Sequence, residues 1–173
     1  IIAVASYIES SELNASPIDV ISAEEFKNLR VSTVAELSKY LGIASGSHFQ
    51  TNALDGVDQG MATITLRGLD HASTLVLINK KRQTHSGTPS DEGEGYIDIN
   101  VIPEIALERI EILKDGATSL YGSDAIAGVI NFQTYQQFDG MRFLLGSQKT
   151  SNYDQRDNTC LLYTSPSPRD SGK

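Results

Sequence analysis

The run Thr74-Leu75-Val76-Leu77-Ile78 constrains this chain most. Continuous and rich in β-formers, it has the pattern of a strand buried on both faces. Other short segments read as its companions. Pro17-Ile18-Asp19-Val20-Ile21 alternates like a half-buried strand, as do Ala62-Thr63-Ile64-Thr65-Leu66-Arg67-Gly68 and Arg109-Ile110-Glu111-Ile112-Leu113. The last closes on Lys114-Asp115-Gly116, a turn signal. Ala125 to Phe132 is strand-like with Gly128 inside it.

Two helix starts are legible. Ser22-Ala23-Glu24-Glu25 is a capping box, and Thr33-Val34-Ala35-Glu36 repeats the device ahead of Val34, Leu37 and Leu41 at helical spacing. Pro103 opens a helical turn over Ile105 and Ala106, and Ala117 to Tyr121 forms another that Gly122 ends. The two helices that open at Ser22 and Thr33 are each expected to pack one face on the sheet. Short strands and short helices in one unit define an α+β domain with a small mixed β-sheet. Beyond Tyr135 the pattern changes: Phe138 to Gly146 reads as a strand after a turn, and Ser147 to Asn158 as polar and disconnected.

The composition removes several function classes. With 173 residues the length suits one domain. The formal charge of −8 argues against a sequence-independent grip on nucleic acid, which needs clustered Lys and Arg. A single Cys excludes a disulfide framework and a multi-cysteine zinc site. No apolar run approaches the roughly 18 residues of a membrane-spanning helix. His48, His71 and His85 are far apart in loops and read as solvated, so no metal ligand is assigned among them. Asp91, Glu92 and Glu94 read as a solvated acidic loop. Asp115-Gly116-Ala117-Thr118-Ser119 lacks the spacing of a phosphate loop and is a tight turn. No GxSxG motif or Cys/His pair points to catalysis, so no enzyme activity and no cofactor are expected.

The tail Cys160-Leu161-Leu162-Tyr163-Thr164-Ser165-Pro166-Ser167-Pro168-Arg169-Asp170 has no link to what precedes it. It resembles one translated frame of a transposase-type sequencing adapter, so residues 160–173 read as a scar outside the fold. The alternative, a natural Ser/Pro-rich tail, is also expected to be unstructured.

The residues themselves then suggest a family. Ile64-Thr65-Leu66-Arg67-Gly68, Leu75-Val76-Leu77-Ile78-Asn79 and the stretch IPEIALERIEILKDGATSLYGSDAIAGVINFQT from Ile102 to Thr134 resemble the plug domain of TonB-dependent outer-membrane receptors. The resemblance covers about residues 14–136; residues 1–13 form an N-terminal arm, and residues 137–159 look like the start of a β-barrel, cut short. It implies a gate inside the lumen of its own chain's barrel, in the outer membrane of a Gram-negative bacterium and facing the periplasm. It implies energised uptake of a bulky hydrophilic ligand: an iron chelate, vitamin B12, a glycan or a peptide. The TonB complex would pull an N-terminal box placed before Ile1. Loops 44–60, 69–73 and 80–96 would be apical and touch the ligand.

Arg67 and Lys114 occupy positions where family plugs pair with carboxylates of the barrel wall; the alternative for each is an ion pair within the domain. Gly68, Gly116, Gly122 and Gly128 are expected to be structural, Gly116 and Gly122 through positive φ and Gly128 through a bulge or close backbone approach. Lys80 departs from the family pattern, which often has Gly there. A competing reading is a free-standing periplasmic binding or adaptor domain with a plug-like fold.

Overall fold

The Thr74–Ile78 run forms β2, an interior strand of a five-stranded mixed sheet. The computed structural model describes residues 18–29, 33–47, 60–87, 89–90, 93–149 and 156–164. The arm at residues 1–13 lies outside them, as do His48, Asp91 and Glu92. The other strands of the sheet are β1 (Ile18–Ser22), β3 (Lys81–Arg82), β4 (Leu107–Leu113) and β5 (Gly128–Thr134). Their order is β1-β4-β5-β2-β3. Only β2 and β5 run parallel, with Val76 opposite Ile130; the remaining pairs are antiparallel, with Ile112 opposite Ile130 and Ile21 opposite Ile110.

Alternation along the strands sends apolar side chains to both faces. Val76, Ile110, Ile112, Ile130 and Phe132 face a cluster that includes Phe26, Val34 and Leu37. Leu75, Leu77, Leu113 and Val129 face the other side, against Ala117, Ala125 and Tyr121. Each fully buried side chain of this size contributes roughly 1.5–3 kcal/mol by leaving water. Burial on both faces therefore makes the centre of the sheet the main source of stability.

Phe26 reaches the core from α1 (Ala23–Asn28), whose start is fixed by the capping box. The Ser22 hydroxyl accepts from the Glu25 N–H at 3.3 Å, and the Glu25 carboxylate accepts from the Ser22 N–H at 2.9 Å. The second expected box does not form. Thr33 makes no side-chain cap bond, and Val34–Lys39 is a 3-10 helix. There the Glu36 N–H bonds the Thr33 carbonyl at 3.1 Å, and the Glu36 carboxylate pairs with Lys39 at 3.5 Å. Pro103 and Gly122 bound elements as read: Pro103 opens the 3-10 turn Glu104–Ala106, and α2 (Thr118–Tyr121) ends at Gly122.

The alternating segment at 62–68 is buried through Leu66 but is not a strand. β5 pairs along the whole of one edge of β2 and β3 covers Leu77 and Ile78 on the other, while this segment finds partners outside the ladder. Thr65 N–H donates to Ser47 Oγ at 3.0 Å, Leu66 N–H to Thr74 Oγ1 at 3.0 Å, and Arg67 N–H to the Ile43 carbonyl at 2.7 Å.

A separate hairpin pairs β6 (Met141–Lys149) with β7 (Arg156–Thr164), in register from Met141 opposite Thr164 to Lys149 opposite Arg156. This corrects two expectations. Part of the polar stretch at 147–158 is in the ladder, and residues 160–164 are structured, with Leu161 opposite Leu144. Leu161, Leu162, Tyr163 and Thr164 suit a pleated strand whatever their origin. Residues 165–173 lie outside the described residues. No helix among the described residues is long and apolar enough to cross a membrane, a statement about helices alone.

Candidate functional site

Three loops gather beside β2 and enclose a cleft of about 300 Å³ lined by His71, Arg82, His85, Glu94, Tyr96 and Asp124. Two of the three expected apical loops, 69–73 and 80–96, supply most of this wall. Most of the third, residues 48–59, lies outside the described residues.

His71 opens a 3-10 turn, His71–Ser73, that follows Asp70. Its side chain is only 10% exposed, in contrast to the solvated histidine read from sequence. Its Nδ1 lies 3.0 Å from Asp70 Oδ1 and its Nε2 4.0 Å from Glu94 Oε2. Tyr96 packs edge-on against the imidazole, with centroids 6.4 Å apart. On another wall, Arg82 Nη1 bonds Asp124 Oδ2 at 2.5 Å and Nη2 bonds the Tyr121 carbonyl. Hydrogen bonds from Arg82 and Ser123 hold the Asp124 carboxyl below its usual range.

Arg82 is carried there by the β2–β3 hairpin, whose two turn residues both have positive φ: Asn79 at 51° and Lys80 at 64°. A two-residue hairpin of this twist favours Asn followed by Gly, so Lys80 sits where a side chain is costly. Bonds hold it there. Lys80 N–H donates to Asn131 Oδ1 at 2.9 Å, while Asn79 exchanges hydrogen bonds with Thr134 at 2.8 and 2.9 Å.

Asn131 also joins a network that sequence reasoning missed. Its Nδ2 donates to Glu111 Oε2 at 3.0 Å, and Arg109 Nε donates to Glu111 Oε1 at 2.8 Å. Glu111 is 1% exposed. Its signal was present in the alternation of β4, which puts Glu111 on the same face as Leu113.

The two basic positions singled out from sequence lie away from the cleft. Arg67 has φ 59° and is exposed, and it turns its guanidinium onto the chain: Nε bonds the Ala127 carbonyl at 3.1 Å and Nη2 the Ile126 carbonyl at 2.7 Å. Lys114 pairs with Asp19 of β1. Both stand near the connection into β5, where Gly116 approaches the Ile126 carbonyl. Gly116 does not have positive φ; a Cβ there would lie 3.1 Å from Ile126 O, so closeness is its constraint. Gly68 and Gly122 have φ of 65° and 85°. At Gly128 a Cβ would clash with Leu113 O and lie 2.8 Å from Leu66 Cδ1, at a φ of 144°.

Comparison with known proteins gives this geometry its context. The family described as TonB-dependent Receptor Plug Domain matches residues 11–129. The chain is 33% identical over 145 residues to the iron-regulated outer membrane virulence protein of Vibrio cholerae, covering 81% of this chain and 21% of that one. It is 34% identical over 128 residues to the vitamin B12 transporter BtuB of Vibrio vulnificus, covering 73% and 18%. Among solved structures, the siderophore receptor PirA from Acinetobacter baumannii superposes with a TM-score of 0.57 at 26% identity, covering 83% of this chain and 21% of that one. The chain thus spans 21% of the first relative's length and 18% of the second's. The small mixed sheet with short helices and the match over residues 11–129 agree: this chain belongs to the TonB-dependent receptor plug domain family.

Proposed function

We propose that this domain is the gate of an outer-membrane receptor, filling the lumen of a β-barrel continued from the same chain and facing the periplasm. It would admit a bulky hydrophilic ligand when the TonB complex, driven by proton-motive force, rearranges it. The observation that carries this reading is the family match over residues 11–129 on a sheet that closes its own core. The names of the relatives, a vitamin B12 transporter and a siderophore receptor, make metal chelates and corrinoids the first ligands to test. The loops around the His71–Tyr96 cleft would meet that ligand.

The β6 strand supports a barrel beginning here. Met141, Phe143 and Leu145 are exposed on one face, the outward apolar pattern of a barrel strand in lipid. Arg67 and Lys114 are proposed contacts to the barrel wall, each exchanging its partner within the domain for a wall carboxylate.

The test uses the complete receptor, expressed in the outer membrane of a Gram-negative host with and without TonB. Accumulation of labelled ferric siderophores or cobalamin that requires TonB supports the reading. Equal accumulation in both hosts, or none of any labelled ligand, overturns it. In the same receptor, R67A/K114A is expected to weaken plug seating and raise sensitivity to large hydrophilic antibiotics.

A further inference from the structure

We propose that Asp70, His71 and Glu94 form a binding site for a divalent transition-metal ion. The ligand atoms these three residues offer all lie within 4.8 Å of one another. Asp70 Oδ1, 3.0 Å from His71 Nδ1, accepts a hydrogen bond from that nitrogen's N–H and so orients the imidazole behind the ion. The lone pair of Nε2 is left pointing into the cluster. That nitrogen is buried and has no hydrogen-bond partner, on a side chain only 10% exposed. What faces it, 4.0 Å away, is another acceptor, the Glu94 carboxylate oxygen.

At that distance the pair is too far apart for a hydrogen bond, and a cation seated between the nitrogen and the carboxylate would be held by both. Zinc bonds to nitrogen and oxygen of about 2.0–2.1 Å give a tetrahedral edge of roughly 3.3 Å, which a small side-chain movement reaches. The backbone on both sides is already pinned. Ser73 N–H bonds the Asp70 carbonyl at 2.9 Å, while Ser90 N–H bonds the Glu94 carbonyl at 2.9 Å. The nearby cation Arg82 is committed to Asp124 and the Tyr121 carbonyl. An imidazole with carboxylate oxygens selects borderline metals such as Zn²⁺ over Mg²⁺ or Ca²⁺, and the cleft leaves the remaining coordination positions open to water or to a small anionic ligand. The site stands independently of the transport reading, because it asks only for these three side chains.

The experiment titrates the full 173-residue chain, carrying C160S because the exposed Cys160 thiol is a competing soft donor, with Zn²⁺. Calorimetry and imidazole NMR signals are the readouts, and circular dichroism checks the fold of every variant. Saturable one-to-one binding that shifts the His71 resonances is expected, with at least a tenfold loss in E94Q, a smaller loss in D70N and abolition in H71Q. E24Q, an exposed carboxylate on α1 outside the cleft, should bind like the parent. E94Q preserves shape and so remains readable if H71Q misfolds. The proposal is overturned by the absence of saturable binding, by binding unchanged in both H71Q and E94Q, or by displacement with a tenfold excess of Mg²⁺, which would mean diffuse attraction to acidic groups.

Discussion

β2 and β6 are both apolar strands in the same chain, yet their side chains meet different surroundings. In β2 the odd and even positions enter two different clusters, and Leu75, Val76 and Leu77 are all buried. In β6 the odd positions Met141, Phe143 and Leu145 stand 58–72% exposed. The hairpin is anchored on its other side, where Arg142 stacks 4.5 Å from the Tyr135 ring and the Tyr163 hydroxyl reaches the Tyr135 carbonyl at 3.3 Å. The sheet is thus a finished core, while the hairpin presents an apolar face that its own domain does not cover. Alternation in a strand reports only that one face is apolar; the rest of the chain decides whether that face is closed over.

The largest expected effect contrasts one aromatic from each region. Phe132→Ala should cost about 3–5 kcal/mol of unfolding free energy, because Phe132 is fully buried between layers. Phe143→Ala should change the stability of the sheet by less than about 0.5 kcal/mol, as an exposed position does. Denaturant melts of both variants check this, and equal losses would break the distinction. Gly128→Ala comes next, at about 3 kcal/mol, because the new Cβ would collide with the Leu113 carbonyl at an unfavourable φ. Glu111→Ala should cost about 2–4 kcal/mol by leaving Arg109 Nε and the buried Asn131 Nδ2 without their acceptor. A double-mutant cycle with Arg109 isolates the pair.

These effects also separate what was legible in the sequence from what was not. The interior position of β2, the Ser22 capping box and the Gly122 stop followed from local pattern, because each depends on residues a few positions apart. The failure of 62–68 to pair did not. Its alternation is sound, but its Thr65 and Leu66 N–H groups are taken by the Ser47 and Thr74 side chains, partners that a strand pattern does not show. The cleft was half legible: its loops were identified, but the inward turn of His71 depends on Asp70, Glu94 and Tyr96 converging from two loops. Arg67 reads as the end of a strand that does not form, and its grip on the Ile126 and Ala127 carbonyls depends on a distant strand entry.

Two smaller effects sharpen the contrast at the margin of the core. Ser22→Ala should cost about 1 kcal/mol through loss of the α1 cap. For Glu104, burial and then the nearby Glu36 charge push the carboxyl above its usual 4.5. The folded state therefore binds this proton more tightly than the unfolded chain. Stability falls as pH rises from 4.5 through the raised value, and E104Q should flatten that fall and raise the melting temperature at neutral pH. A pH series of thermal melts on both proteins reads the difference.

The division between a finished core and an uncovered hairpin is tested most directly by residue-resolved hydrogen exchange on the full chain in solution. Amides of β2, β4 and β5 should exchange only through global unfolding, so that their protection falls together as denaturant lowers the overall stability. Amides of β6 and β7 should exchange orders of magnitude faster, through opening of the hairpin alone. Equal protection in the two regions, tracking the same unfolding event, would contradict the account.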